Sequence, residues 1–418
     1  MTSVFSKKDF IATKWFTLEK LIQLVIGILI VPKIFSSLGT VDMGKLKLAE
    51  SVIAMLTPLF FLGLAVVCIR EIVYNPKKST QILATAFYLR LISWMLIFSG
   101  LLLYFYLNPN NSITVLYLII AFSYLFKLTD VFEYYLIAKK WTKYIFISKI
   151  STLIIIVVLQ YYGIRNQLDV FYFAKLMALD FGIQGLFYFA ILKFQGTLKW
   201  QEWKFSWPLG KSLLKMSYPL IISNSLIIFY VTIDEIFLKY YHNDHANGIF
   251  ASVQFLVIAL SWNIGFSIIT ALYPSLAESF NGNRIIYLKK LRQLTFIMVG
   301  LGIGIALFYT FLGPLILERY FSEKYAEAKT PLFIFCWAPV FVFIGMIYEK
   351  HLLNTNRLNQ NIYRFILGCV INVILCIILI PKYDVIGAAI AVLVSHIFTN
   401  IIYLFIDSET RKQILYRN

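Results

Sequence analysis

Apolar runs long enough to cross a bilayer recur along the whole 418-residue chain. About 20 apolar residues suffice for one crossing, and about twelve such runs can be laid out. The first half gives roughly 15–35, 48–69, 81–107, 113–137, 145–163 and 170–194. The second gives roughly 213–240, 248–274, 293–317, 330–351, 362–380 and 386–406. The fold class that follows is an all-α polytopic membrane protein with about twelve transmembrane helices. Composition fits, being 60% hydrophobic and 14% charged with mean hydropathy +0.77, where a soluble domain holds about 25% charged residues. The 17% aromatic content serves lipid-facing surfaces and interfacial belts.

Loop charge sets the orientation. One set of loops holds Lys7, Lys8 and Lys14; Arg70, Lys77 and Lys78; Lys139, Lys140 and Lys143; and Lys199, Lys204 and Lys211. The same set continues with Arg284, Lys289, Lys290 and Arg292; Arg357; and Arg411, Lys412 and Arg417. The alternate loops hold only Lys45, Lys47, Arg165, Arg319, Lys324 and Lys382. About twenty basic residues against about six is a positive-inside bias that places both termini in the cytoplasm.

The longest cytoplasmic link, Lys193–Lys211 (KFQGTLKWQEWKFSWPLGK), is rich in Trp and Lys and suits an amphipathic segment at the membrane surface. It separates six spans from six: an N-terminal lobe over 1–194, a linker over 195–212 and a C-terminal lobe over 213–418. Weak internal matches support a pseudo-two-fold relation between the lobes. The loop Leu38-Gly39 reaching Gly44 before span two parallels the polar loop reaching Gly248 before span eight. Asn75-Pro76 before span three parallels Asn281-Gly282 before span nine.

The net charge of +17 has a bland cause, because most basic residues sit in short loops that meet anionic headgroups. No soluble basic domain exists for nucleic acid. Cys68, Cys336, Cys369 and Cys376 all lie in apolar runs, against a disulfide framework or a metal site. No cleavage motif follows the first apolar segment, which reads as an uncleaved span. HExxH, Walker A, GxGxxG on a strand-helix unit and GxSxG are all missing, and no loop has room for a catalytic domain. A non-enzymatic protein without a cofactor is expected, drawing work from an ion or substrate gradient.

Charges inside the spans are costly, at least ~2.5 kcal/mol each on insertion scales, so helices that keep them line cavities. Glu19, Gln23 and Gly27 share a helix face beside Lys20, with Glu19 and Lys20 either inside the first span or at its interfacial edge. Arg90 is too deep to snorkel, and reads as cavity-facing or ion-paired. Ser123, Lys127, Asp130 and Tyr134, at steps of four, three and four, form one polar stripe facing the bundle, in which Lys127 and Asp130 can also neutralise each other. Lys149 lies near a span end and reads as snorkelling; Asp180 is deeper, with Arg90 or Lys127 as partners. In span seven, Ser212–Tyr241, Asn224 and the pair Asp234–Glu235 stand out, Asn224 and Glu235 sharing a face. Span eight adds Gln254, Ser261, Asn263, Ser267 and Thr270. The last spans carry Arg364, Asn372, Ser395, His396, Thr399 and Asn400, with His396 read as a packing residue. Basic residues concentrate in the first six spans, which implies an anionic substrate.

The spans in two six-helix lobes, LEKLIQLVIGILI at Leu18–Ile30 and LG…MG at Leu38–Gly44 resemble the O-antigen and polysaccharide-unit flippases (Wzx type). So do LLKMSYPLIISNSLIIFYVTIDEIFL at Leu213–Leu238, YPSL at Tyr273–Leu276 and LIPKYDVIGAAIAVLVS at Leu379–Ser395. These belong to the multidrug/oligosaccharidyl-lipid/polysaccharide exporter superfamily, with the drug/cation antiporters and the lipid II flippase. The resemblance covers nearly the whole chain. It departs at Thr232, where such flippases often carry a basic residue, and at Gln23, where they often carry arginine.

The resemblance implies a flippase moving an undecaprenyl-pyrophosphate-linked oligosaccharide from the cytoplasmic to the periplasmic leaflet by alternating access. Lys20, Arg70, Arg90, Lys127 and Asn224 are the expected cavity residues. Asp130, Asp180, Asp234 and Glu235 are those expected to couple transport to protons or sodium. Polymerase and chain-length proteins of the same pathway are expected partners. A drug/cation antiporter of the same superfamily would favour acidic over basic cavity residues. A membrane glycosyltransferase or O-antigen polymerase would need a sizeable outer loop.

Overall fold

A computed structural model describes residues 7–108, 113–196, 200–355, 357 and 359–407. Lys199, Arg411, Lys412 and Arg417 lie outside the described residues, as do the side chains of Lys7, Lys8, Lys14, Asn263, Ser267, Thr270, Pro274 and Asn281. Where described, the chain is helical and contains no strand. In order, α1 is Lys7–Phe61, α2 Leu64–Tyr74, α3 Ser79–Leu107, α4 Thr114–Phe126 and α5 Val131–Ala138. Next come α6 Thr142–Arg165, α7 Val170–Phe194, α8 Trp207–Tyr241, α9 Asp244–Gly282 and α10 Arg284–Ile316. The last are α11 Lys329–Phe335, α12 Ala338–Asn354, α13 Asn359–Ile397 and α14 Tyr403–Ile406. A helix satisfies its own backbone N–H and C=O groups, which lipid cannot do for it.

Among the described residues, eight helical stretches are long and apolar enough to span a bilayer. The pair Glu323–Phe335 and Ala338–Asn354, bent by 45°, makes a ninth if it is one span. Two stretches are long enough for two crossings, Leu18–Tyr74 with 57 residues and Asn359–Ile406 with 48. At ~1.5 Å per residue both overrun ~30 Å of hydrocarbon. Both are broken: Gly39 sits at φ 74°, ψ 178°, and Asp384 at φ 50°, ψ −130°. These kinks fall in the gaps that hydropathy leaves between spans one and two and between spans eleven and twelve. Only glycine takes the Gly39 conformation without a Cβ penalty. The chain is a multi-pass membrane protein.

The described residues pack as two compact units, Met1–Ile26 with Ala49–Ser225 and Gly27–Leu48 with Leu226–Asn418. The divisions fall inside α1 and α8. Unit 1 has a core of Leu64, Cys68, Leu83, Val131, Leu136, Ile145, Leu192 and Leu213, all buried. The Trp203 ring lies 6.0 Å from Phe87 and 5.8 Å from Phe132, so the segment before α8 is fastened to the same core.

Unit 2 is centred on α9, α10, α12 and α13. Its portion of α1 is held by Phe35, whose ring meets Phe321 at 5.3 Å and Tyr325 at 5.7 Å, while the Tyr325 hydroxyl donates to the Phe35 carbonyl at 3.1 Å. Beyond the kink, α1 touches the start of α9 through two glycines. A Cβ on Gly44 would lie 1.8 Å from the Asp244 carbonyl oxygen, and one on Gly248 1.9 Å from that of Thr40. Asn247 Nδ2 donates to the Gly44 carbonyl at 3.0 Å, and the His245 ring bridges Thr40 at 2.7 Å and Glu327 at 3.1 Å. The two loops matched in sequence thus meet glycine to glycine.

Candidate functional site

The polar stripe on span four is interrupted where its charges lie. Between α4 and α5, Lys127–Asp130 winds as a 3-10 turn, and the Val131 N–H bonds back to the Leu128 carbonyl. In an unbroken α-helix that N–H would take the Lys127 carbonyl. Here that oxygen is taken instead by Arg90 Nη2 from α3, at 2.8 Å. Arg90 Nη1 donates to the Tyr134 hydroxyl at 3.1 Å, and its guanidinium lies 4.6 Å above the Phe61 ring. Thr129, inside the turn, bonds the Phe126 carbonyl at 2.6 Å and presses on Gly185 of α7, where a Cβ would come within 2.1 Å of its Oγ1. Arg90 is fully buried and forms no ion pair among the described residues. It anchors the turn.

The turn presents Lys127. Its ammonium stands 4.3 Å from the Phe181 ring, 5.5 Å from Phe61 and 5.7 Å from Tyr124. Among the described residues it makes no ion pair. Asp130 and Asp180 are within electrostatic reach of it without touching it. Aromatic faces stabilise a cation by about 0.5–2 kcal/mol each and use none of its N–H donors. Lys127 therefore keeps three donors for a ligand.

A second charged group in unit 1 joins α1, α5 and α6. Lys149 Nζ lies 2.9 Å from Glu133 Oε1 and 3.7 Å from Glu19 Oε1, and Gln23 Nε2 donates to Glu19 at 3.3 Å. The expectation that Lys149 snorkels is corrected: it points to two carboxylates and is 18% exposed. Glu19 is buried, so it faces the protein interior. Lys20 is 46% exposed and shares Glu19 at 3.6 Å. Arg70 is exposed, meeting Glu71 at 3.4 Å and the Met216 sulfur at 2.9 Å. Asn224 is exposed.

In unit 2, Asp234 and Glu235 are both buried. Asp234 Oδ1 accepts the Cys376 thiol at 3.1 Å, and Cys376 also reaches Asn372 Oδ1 at 3.5 Å. Glu235 is engaged as well. Asp234 lines a cavity of about 250 Å³ with Tyr230, Gln254, Trp262, Arg364 and His396 among its walls. Arg364 is visible in the sequence and His396 reads there as a packing residue, but neither falls among the expected site residues because basic residues are sparse in the later spans. The signal was present: an arginine six residues into a 39-residue apolar helix.

Set against solved structures, the fold is that of the MOP-superfamily transporters. An inward-facing multidrug resistance MATE family transporter of that superfamily superposes with TM-score 0.76 at 13% identity, over 95% of this chain and 98% of its own. The lipid II flippase MurJ in an inward closed conformation gives 0.71 at 16% identity, over 93% and 86%. A MOP superfamily transporter from Pyrococcus furiosus gives 0.67 at 14%, over 96% of each chain. These are transporters and flippases, not catalysts, and at such identities the fold is what is shared. Residues 12–280 match the family described as "Polysaccharide biosynthesis protein", and the chain belongs to that family. The capsular polysaccharide biosynthesis protein CapF of Staphylococcus aureus is 26% identical over 198 residues, 47% of this chain. The chain spans about half the length of that relative, 49% of it.

Proposed function

We propose that this protein is a flippase of a bacterial inner membrane, with both termini cytoplasmic. It moves an undecaprenyl-pyrophosphate-linked O-antigen or related polysaccharide repeat unit from the cytoplasmic to the periplasmic leaflet by ion-coupled alternating access. Lys127 carries this reading. A membrane protein holding an ammonium against three rings, with no ion pair or hydrogen bond among the described residues, is prepared for an anionic group. Pyrophosphate oxygens accept charge-assisted hydrogen bonds, about twice as strong as neutral ones. Binding phosphate would add donor–acceptor bonds while the rings keep the cation in position.

Arg90 serves as the positioning residue, because its hydrogen bond fixes the turn from which Lys127 projects. Lys20 and Arg70, more exposed, are suited to early contact with the pyrophosphate, and Asn224 to a sugar hydroxyl. Asp130 and Asp180 set the charge balance around Lys127, and Asp234 and Glu235 do so in unit 2. A proton or sodium ion at any of these carboxylates changes that balance and couples the cycle to a gradient. Polymerase and chain-length proteins would receive the product.

The test is complementation of a flippase-null strain, scored by lipid-linked repeat units retained on the cytoplasmic face. The wild-type chain is expected to clear them. Simultaneous Lys20→Gln, Arg90→Gln, Asp130→Asn and Asp234→Asn should restore the accumulation. Surface glycan export left intact by that quadruple variant would overturn the reading.

A further inference from the structure

We propose that the cavity in unit 2 is a sugar-recognition subsite for one carboxylated monosaccharide, with Arg364 receiving the carboxylate. Arg364 is a buried charge with an unsatisfied edge beside the cavity. Its side chain is 2% exposed. Nη1 donates to the Gly345 carbonyl at 3.0 Å, while the buried Nε has no hydrogen-bond partner among the described residues. The guanidinium is sandwiched, 4.8 Å from the Phe365 ring and 5.3 Å from Tyr348. What remains is the Nε–Nη2 edge, the fork that binds a carboxylate through two parallel hydrogen bonds.

The fold fixes the guanidinium from its Nη1 side. A Cβ on Gly345 would fall 1.9 Å from Asn400 Oδ1 and 3.3 Å from Arg364 Nη1, so only glycine lets α12 supply its carbonyl here. Asn400 itself stands on a π-helical turn, Phe398–Ile402, of the kind that recurs at functional sites. The other charges in the wall are engaged: Glu349 with Lys350 at 3.1 Å, and Asp234 with the Cys376 thiol at 3.1 Å.

Size and charge select the ligand. At about 250 Å³ the space is smaller than the roughly 300–1,000 Å³ of drug-sized sites, which fits a single sugar ring. Trp262, Tyr230 and Phe365 offer ring faces to the apolar side of a pyranose, and Gln254, His396 and Asn400 offer partners to its hydroxyls. A phosphate dianion would bring two negative charges to a wall that already sets Asp234 and Glu349 against Arg364 and Lys350. A carboxylate brings one, half the charge that such a wall would have to absorb.

The inference rests on the flippase reading only for where the sugar comes from. Its test needs no transport: binding of glucuronate, glucose and methyl phosphate to the purified full-length protein, followed by tryptophan fluorescence. Trp262→Phe is the control that assigns the signal. Glucuronate should bind at least tenfold tighter than glucose. Arg364→Gln should bring it down to glucose's affinity, and so should Asn400→Asp, which sets a carboxylate beside the guanidinium and serves if the arginine variant does not fold. Equal affinity for both sugars, a preference for methyl phosphate, or binding of none of the three would overturn the proposal. A chain that clears lipid-linked units in the null strain yet ignores glucuronate overturns the subsite alone.

Discussion

Arg90 donates a hydrogen bond from Nη2 to the Lys127 backbone carbonyl at 2.8 Å, 37 residues along the chain. One cation is thereby used to hold the backbone that presents another. The guanidinium occupies the acceptor that a continuous helix would have kept, and the 3-10 turn and its arginine depend on each other. Removing the arginine leaves that carbonyl without its donor, along with the Tyr134 hydroxyl, in a buried setting. Hydrogen bonds to charged groups contribute about 1.5–3 kcal/mol each. Arg90→Met is expected to lower stability by about 3 kcal/mol, read as a fall in the detergent melting temperature, and to abolish glycan export. A variant that melts like wild type would show that the turn stands without its anchor.

Lys127 should behave in the opposite way. Its ammonium is held by ring faces, and those interactions contribute about 0.5–2 kcal/mol apiece. Lys127→Gln is expected to lose at least tenfold in export while melting near wild type, and Lys127→Arg to keep part of the activity. The two measurements, export in the null strain and melting temperature, separate a binding role from a structural one. Export by Lys127→Gln at the wild-type rate would remove Lys127 from the transport path.

The Lys149 cluster calls for a double-mutant cycle. Lys149→Ala leaves Glu133 without its cation and Glu19 with Lys20 alone, at 3.6 Å. Removing one member of a buried ion pair costs about 3–5 kcal/mol. The lower end, about 3 kcal/mol, is expected here because Lys149 keeps 18% exposure and Glu133 17%. Adding Glu133→Gln should restore most of the loss, since it removes the charge that was stranded. Additive destabilisation in the double variant would mean that the two side chains do not interact.

These sites differ in how far the sequence revealed them. Hydropathy located the breaks that Gly39 and Asp384 make, because turns between spans interrupt apolar runs. The loops at Gly44 and Gly248 were paired in sequence only as weak matches, and their mutual contact was not legible, since a glycine's neighbours come from another helix. The stripe Ser123, Lys127, Asp130 and Tyr134 was drawn with an unbroken helical period. The break depends on Arg90, which lies on a different span and leaves no mark on local spacing. For the same reason distance from a span end misjudged Lys149, whose partners are on α1 and α5. Arg364 was visible as a charge in an apolar helix, while the cavity around it is a property of packing.

The glycine contact gives a sharp steric prediction. Gly44→Ala and Gly248→Ala each place a Cβ within 2 Å of a backbone oxygen, which cannot rotate away as a side chain would. Overpacking of this kind costs about 1–3 kcal/mol. Both variants are expected to melt lower and export less, with Gly248→Val worse than Gly248→Ala. Gly100→Ala and Gly304→Ala, where a Cβ meets nothing within 4 Å, are the controls and should be silent.

Asp234 offers the clearest test of coupling. It is 1% exposed, and its side-chain hydrogen-bond partners are the Cys376 thiol, a weak donor, and Asn372, neither of which carries charge to balance a carboxylate. A buried carboxylate in that position is stabilised by gaining a proton or a sodium ion, and loses that gain when the ion leaves. Asp234→Asn has nothing to exchange. In proteoliposomes carrying lipid-linked repeat units, it is expected to flip them at a rate indifferent to an imposed proton or sodium gradient. The wild-type protein should accelerate severalfold under one of the two. Cys376→Ala should keep the gradient response, because the thiol only assists the carboxylate. If Asp234→Asn still responds to the gradient as wild type does, the coupling ion binds elsewhere, and Glu235, Asp130 and Asp180 become the positions to substitute next.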